Sequence, residues 1–182
     1  MEKGREKFPE PAEHSFSDLE RLPNAVVLVA SDNGPMILCD EFEAKTGGRL
    51  DALDITQEVE DMVRASGVTR GSVLVFSPHT TCCVLIAPAG NGTVEALAGA
   101  MDAVAPPDGY YAHDDLAIRT ENLTEDESPN APAHLFHVFV GKASQSIPIV
   151  RGRPALGGNQ RVLFVELDQS RERRYLIQVI GE

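Results

Sequence analysis

A chain of 182 residues with 42% apolar content can bury one well-cored domain, and no run approaches the ~20 apolar residues of a membrane span. The formal net charge of −12 argues against wholesale binding to nucleic acid or to anionic membrane, both of which attract basic surfaces. Cys39, Cys82 and Cys83 cannot all pair and the N-terminal stretch lacks the apolar core of a secretory signal, so reduced thiols and a cytoplasmic location are expected.

Residues 1–23 mix charges, three prolines and few apolar side chains, and are expected to form a poorly ordered arm ahead of a single domain at 24–182. NAVVLVA (24–30) and PMILCDEF (35–42) are short β-type runs on either side of Asn33-Gly34, a turn signal, which predicts a hairpin. Asp54 or Thr56 can cap a helix whose Ile55, Val59, Met62 and Val63 share one face, with Gly67 as its stop. SVLVFS (72–77) and CCVLIA (82–87) are apolar on both alternating faces and predict two buried central strands, with His79 at the kink between them. Thr93 is read as the cap of a second helix that presents Val94, Leu97, Ala98, Met101 and Val104 and ends at Pro106-Pro107.

A polar segment without periodicity follows from Asp108 to Ala133, longer than the ~12 to 15 residues usual for a structureless loop, and long loops of this kind often carry function. Four strand-like runs then close the chain: LFHVFVG (135–141), QSIPIV (145–150), RVLFVEL (161–167) and RYLIQVI (174–180). The class is α+β and β-dominated. Acids dominate 108–130 and arginines dominate 151–174, so an anion-binding patch competes with a plain solvated face.

Glu166 interrupts an apolar strand, where a carboxylate is expected to be paired or used; the competing reading is an edge strand that faces it to water. Of the five histidines, His79 sits at the kink and His113 in the polar loop. His134 and His137 lie three apart on a predicted strand, hence on opposite faces, and His134 is favoured for a pocket because it adjoins the loop that brings Asn130. His79, His113 and His134 from three segments form a candidate set for a divalent transition metal, without the local spacing of a specific metal motif. Cys82 and Cys83 alternate across a strand, cannot both meet His79, and are read as packing.

The ordered motifs DIT, SGV, PHTT, a tyrosine then a histidine, NAPAHL, IPIV with following glycines and a glutamine, the Glu-Asp-Arg-Arg series and a terminal IGE resemble the YjbQ-like family of secondary thiamine-phosphate synthases, from about Asp54 to Glu182. The resemblance implies an α+β fold with a mixed, largely antiparallel β-sheet sandwich and two main helices, assembled as a homotrimer with pockets near subunit boundaries. It implies a polar pocket around His79, His113 and His134, with Asn130, Gln160, Glu166 and Arg171 as further matched positions. The implied reaction joins a pyrimidine methyl diphosphate to a thiazole phosphate and releases pyrophosphate.

For that chemistry His79 and His134 are assigned as hydrogen-bond or acid groups and Glu166 as their orienting carboxylate. Thr80 and Thr81 are nearby hydroxyls, and Arg171 and Arg173, with Arg161 as a further candidate, are phosphate partners. Mg²⁺ would accompany the diphosphate. The chain departs from the family pattern at Ala87-Pro88, Phe136, Asn159 and Gln169-Ser170, which keeps open a non-catalytic trimeric module for a phosphorylated or anionic ligand, or a three-histidine metal-dependent hydrolase.

Overall fold

Two runs of ten residues alternate buried and open positions, and they pair along their full length to make the backbone of the fold. The computed structural model describes residues 26–29, 34–90, 92–121 and 128–182. Its elements are β1 (Val26–Val29), β2 (Met36–Lys45), β3 (Ala52–Asp54), α1 (Thr56–Ser66), β4 (Arg70–Phe76), β5 (Cys82–Pro88), α2 (Gly92–Val104), α3 (Ala131–Phe139), β6 (Ser144–Val150), β7 (Arg153–Pro154), β8 (Gln160–Glu166) and β9 (Glu172–Gly181). The arm expected at 1–23 lies outside the described residues.

The strands form a larger sheet in the order β1-β2-β9-β4-β6-β7 and a smaller one in the order β3-β8-β5, with every pairing antiparallel. The two strands of the expected hairpin pair antiparallel, with Val29 opposite Met36, while Asn33 of the turn lies outside the described residues. On β9, Tyr175, Ile177 and Val179 point inward, where Val73 and Val75 of β4, Val162 and Phe164 of β8, and Val59, Met62 and Val63 of α1 meet them. The opposite face of the small sheet supplies a second core, in which Cys83, Leu163 and Val165 pack with Met101 of α2 and Ala133 and Phe136 of α3. Burial on both faces explains the unbroken apolar runs of β5 and β8.

Local chemistry starts and stops the first helix as its sequence suggests. The Asp54 carboxylate accepts the Thr56 N–H at 3.0 Å and the Thr56 hydroxyl at 2.5 Å. Gly67 follows the last turn at φ 69°, a left-handed conformation that costs glycine little. Glycine is also required where β4 meets β9: a Cβ on Gly71 would stand 2.0 Å from the Ile180 carbonyl oxygen.

Four expectations need correction. LFHVFVG is not a strand: residues 131–139 are helix α3, so the described residues form three helices. Its β-prone side chains yield to a start signal just upstream, with Asn130 at the N-cap position and Pro132 in the first turn, and to burial of one face against the small sheet. β5 is an edge of the small sheet rather than a central strand, whereas β4 is interior to the larger sheet as expected. Thr93 lies inside α2, which begins at Gly92, and of the expected face Met101 is buried with Val94 and Leu97 half-buried against the second core, while Val104 projects outward.

Candidate functional site

The segment Ser77–Thr81 leaves β4 in the larger sheet and enters β5 in the smaller one, and this crossing turns His79, Thr80 and Thr81 toward a cavity of about 940 Å³. The polar loop contributes His113, Arg119 and Glu121, α3 and the residues before it contribute Asn130 and His134, and the start of β9 contributes Arg171 and Arg173. Four separate segments thus bring eight of the sequence-predicted residues to one hollow.

His134 and His137 differ from their strand-based reading. Three apart on a helix, they share a side rather than oppose each other. His134 lines the cavity with its ring 4.7 Å from that of His113. The His137 Nδ1 lies 2.7 Å from the Cys82 carbonyl oxygen and ties α3 to β5.

Glu166 is fully buried at the end of β8, so the water-facing reading is wrong. Its two oxygens take Arg173 Nε at 2.6 Å and Nη2 at 2.8 Å, together with the Thr46 hydroxyl at 3.1 Å, the Asp168 N–H at 3.0 Å and the Cys82 thiol at 3.5 Å. Burial alone would push its carboxyl up, but these hydrogen bonds and the Arg173 charge hold it below the ordinary value. Among the described residues it bonds neither His79 nor His134, so the role of orienting carboxylate for the histidines gives way to one for Arg173. Arg173 Nη2 also donates to Thr81 at 3.0 Å, and Nη1 has no partner among the described residues.

His79 is held by a backbone contact: its Nε2 accepts the Arg174 N–H at 3.0 Å, so in the neutral ring the proton sits on Nδ1. Burial lowers its pKa, the Arg173 charge adds to the effect, and Glu166 opposes it. Burial likewise lowers His134, reinforced by His113 and opposed by a hydrogen bond to the Thr80 backbone. Both therefore favour the neutral ring that donates or accepts hydrogen bonds. Asn130 Nδ2 donates to Asp168 at 3.2 Å, Arg171 reaches the same carboxylate oxygen at 3.4 Å, and the buried Asn130 Oδ1 has no partner among the described residues.

Gln160 stands apart. It is exposed at the far end of β8, six residues or about 20 Å of strand from Glu166, and its Oε1 accepts the Gly157 N–H. Pro88 pairs with it, Ala87 pairs with Arg161, and Asn159 accepts the Ala89 N–H, so three of the departures from the family pattern gather at that end, away from the cavity. Phe136 is wholly buried in the second core. The arginines of 151–174 do not form one patch: Arg161 approaches Asp54 and Arg174 pairs with Glu41, while only Arg171 and Arg173 reach the cavity.

Among the described residues no three His, Cys, Asp or Glu side chains gather as a metal-holding group, so His79, His113 and His134 share the cavity without converging as ligands. Among them, too, no helix is long and apolar enough to cross a membrane. Residues of the site that the sequence does not single out as candidates include Thr46, Asp114, Arg119 and Glu121. Arg119 was legible as the lone base of an acidic stretch, and Asp114 as the acid next to His113, whereas nothing local marks Thr46.

Residues 40–182 match the sequence model of the family described as UPF0047 protein YjbQ-like. A UPF0047 protein of Archaeoglobus fulgidus is 34% identical over 140 residues, 77% of this chain and 99% of the relative. The UPF0047 protein YugU of Bacillus subtilis is 31% identical over 140 residues, 77% of this chain and 97% of the relative. The crystal structure of a YbjQ-like protein of unknown function from Sulfolobus solfataricus superposes with a TM-score of 0.69 at 29% identity, covering 81% of this chain and 99% of that one. A hypothetical protein of Aeropyrum pernix gives 0.67 at 33% identity, covering 79% and 98%. The cavity, the crossing segment, the small sheet and all of the larger sheet except β1 and the first residues of β2 lie within the matched region, and the chain belongs to the YjbQ-like UPF0047 family.

Proposed function

We propose that the cavity binds phosphorylated small molecules and works as a transferase of the thiamine-phosphate-synthase type, joining a pyrimidine methyl diphosphate to a thiazole phosphate. One observation carries this reading: in a chain of net charge −12, Arg119, Arg171 and Arg173 meet three histidines on a single polar cavity of about 940 Å³, a size suited to small-molecule ligands. In the reaction the bond between the pyrimidine methylene carbon and the diphosphate oxygen breaks, and its electron pair leaves with pyrophosphate. The lone pair of the thiazole nitrogen forms the new carbon–nitrogen bond.

Such a reaction needs charge stabilisation on the departing oxygens and alignment of the two reactants. Arg173 is immobilised by Glu166 and Thr81 with Nη1 to spare, which suits it to a fixed phosphate contact. Neutral His79 offers Nδ1–H to the same oxygens as a hydrogen-bond donor. The described residues supply no carboxylate cage for Mg²⁺: Glu166 and Asp168 are spent on protein donors, and Glu121 is the one carboxylate residue among them that lines the cavity; the ion would be held largely by diphosphate and water.

The test is incubation of purified protein with both phosphates and mass-spectrometric detection of thiamine phosphate, with His79→Ala and Arg173→Met as controls. Product formation that both variants abolish is expected. Absence of product while the wild type still binds pyrophosphate would replace the transferase reading with that of a binding module. The assembly proposed with this reading is a homotrimer, for which the exposed Val138 and Phe139 at the end of α3 offer apolar surface; sedimentation as a monomer would overturn it.

A further inference from the structure

Asp114 joins two parts of the cavity wall that the sequence keeps 16 residues apart. Its Oδ1 accepts the N–H of Asn130 at 3.1 Å and of Ala131 at 3.0 Å, the first donors of α3, where the Asn130 side chain makes no cap of its own. The same oxygen lies 2.9 Å from Nδ1 of His113. An ionised carboxylate has only lone pairs to offer, so at that distance the ring must be the donor, through Nδ1–H. Arg119 competes weakly for the same nitrogen: its Nη1 stands 3.5 Å away and has a better acceptor in the His113 carbonyl oxygen at 3.0 Å.

Neutral His113 held this way carries its lone pair on Nε2, which has no partner among the described residues. His79 is held from the other end of its ring, with Nε2 on the Arg174 N–H and Nδ1–H left over. The two imidazoles share a tautomer, yet they offer the cavity opposite groups. Both rings line the hollow, so it has an acceptor nitrogen as well as a donor.

We propose that Asp114 is a positioning residue that locks His113 as the Nδ1–H tautomer and thereby presents Nε2 to the ligand as a hydrogen-bond acceptor. The ligand atom that meets His113 is then an N–H or O–H, while anionic oxygen meets His79 and the arginines. A purely structural Asp114 would cap α3 and leave the tautomer of His113 to chance.

Long-range proton–nitrogen correlation spectra of the imidazole rings, recorded on the full chain at about pH 8 where imidazole is ordinarily neutral, test this directly. The wild type is expected to show His113 and His79 both protonated at Nδ1. Asp114→Asn keeps an oxygen for the same donors and should preserve that signature. Asp114→Ala should move the His113 proton to Nε2 and leave His79 unchanged. A wild-type His113 protonated at Nε2 would overturn the proposal, and so would Asp114→Ala spectra in which His113 remains protonated at Nδ1. Should the alanine variant fail to fold, the wild-type and asparagine spectra still decide.

Discussion

Arg173 and Glu166 meet as a two-point ion pair at the inner end of β9 and β8, with Nε 2.6 Å from Oε2 and Nη2 2.8 Å from Oε1, and neither side chain reaches bulk water appreciably. Two charges removed from water this thoroughly depend on each other more than on anything else nearby, and loss of one strands its partner. Arg173→Met should therefore cost about 3 to 5 kcal/mol of stability in urea unfolding. A loss under about 1 kcal/mol would mean that water enters the site and the pair is not desolvated.

The same pair sets an acid limit. Because the folded protein holds Glu166 below its ordinary value, the carboxylate adds stability above the ordinary carboxylate range near ~4, and that contribution disappears as pH falls through the lower folded value. Arg173→Met should reverse the sign, since burial then favours the protonated acid. Unfolding curves between about pH 3 and pH 6 that run parallel for wild type and variant would contradict this account.

His79 and His134 act in a higher window. Both are held below the ordinary imidazole value, chiefly by burial, so the unfolded chain takes up protons before the folded one does. Stability should fall as pH drops from the ordinary value near ~6.5 toward the lower folded values. Replacing both residues with glutamine should flatten that part of the profile. Thermal unfolding that stays equally steep in the double variant would assign the slope to other groups.

How much of this site could be read in the residues depended on the kind of signal. His79 was legible because Pro78 and a break between two apolar runs place it at a corner whatever the sheets do. Glu166 was legible as a carboxylate in a buried strand, but its partner was not, since Arg173 comes from a strand of the other sheet and only the fold shows which arginine points inward. The helix α3 was missed because Leu135, Phe136, Val138 and Phe139 are β-prone as a run, whereas the start signal at Asn130-Ala131-Pro132 was present and outvoted. That error also misplaced His137, since a spacing of three means opposite faces on a strand and one side on a helix. Thr46 has no local signature, and although Asp114 adjoins His113 in sequence, its bonds to the start of α3 come only with the folded chain.

The β6–β7 hairpin carries strain that a substitution can relieve. Arg151 and Gly152 join Val150 to Arg153 with φ of 54° and 73°, the positive pair that a type I′ turn demands. Glycine meets that demand without strain, but an arginine held left-handed costs on the order of 1 kcal/mol. Arg151→Gly is expected to be neutral or to stabilise by up to about 1 kcal/mol despite the extra freedom it gives the unfolded chain. A clear destabilisation would show that the arginine side chain contributes more than its backbone costs.

The thiols of Cys82 and Cys83 should be inert in the native protein, although they follow His79 so closely. They point to opposite faces of β5, each into a different core, and both are fully buried. Burial raises both, Cys82 further still through the neighbouring Glu166 charge, and Cys83 to about 12. Access is closed as well as ionisation: a Cβ added at Gly141 would stand 2.7 Å from the Cβ of Cys83, so the chain already packs against that residue. Iodoacetamide at about pH 8 should leave both unmodified in the folded chain and label them once urea unfolds it. Peptide mapping provides the check, with Cys39, half-buried on β2, as the internal comparison. Native labelling of Cys82 or Cys83 at the unfolded rate would mean that β5 opens, and that the wall carrying His79, Thr80 and Thr81 opens with it.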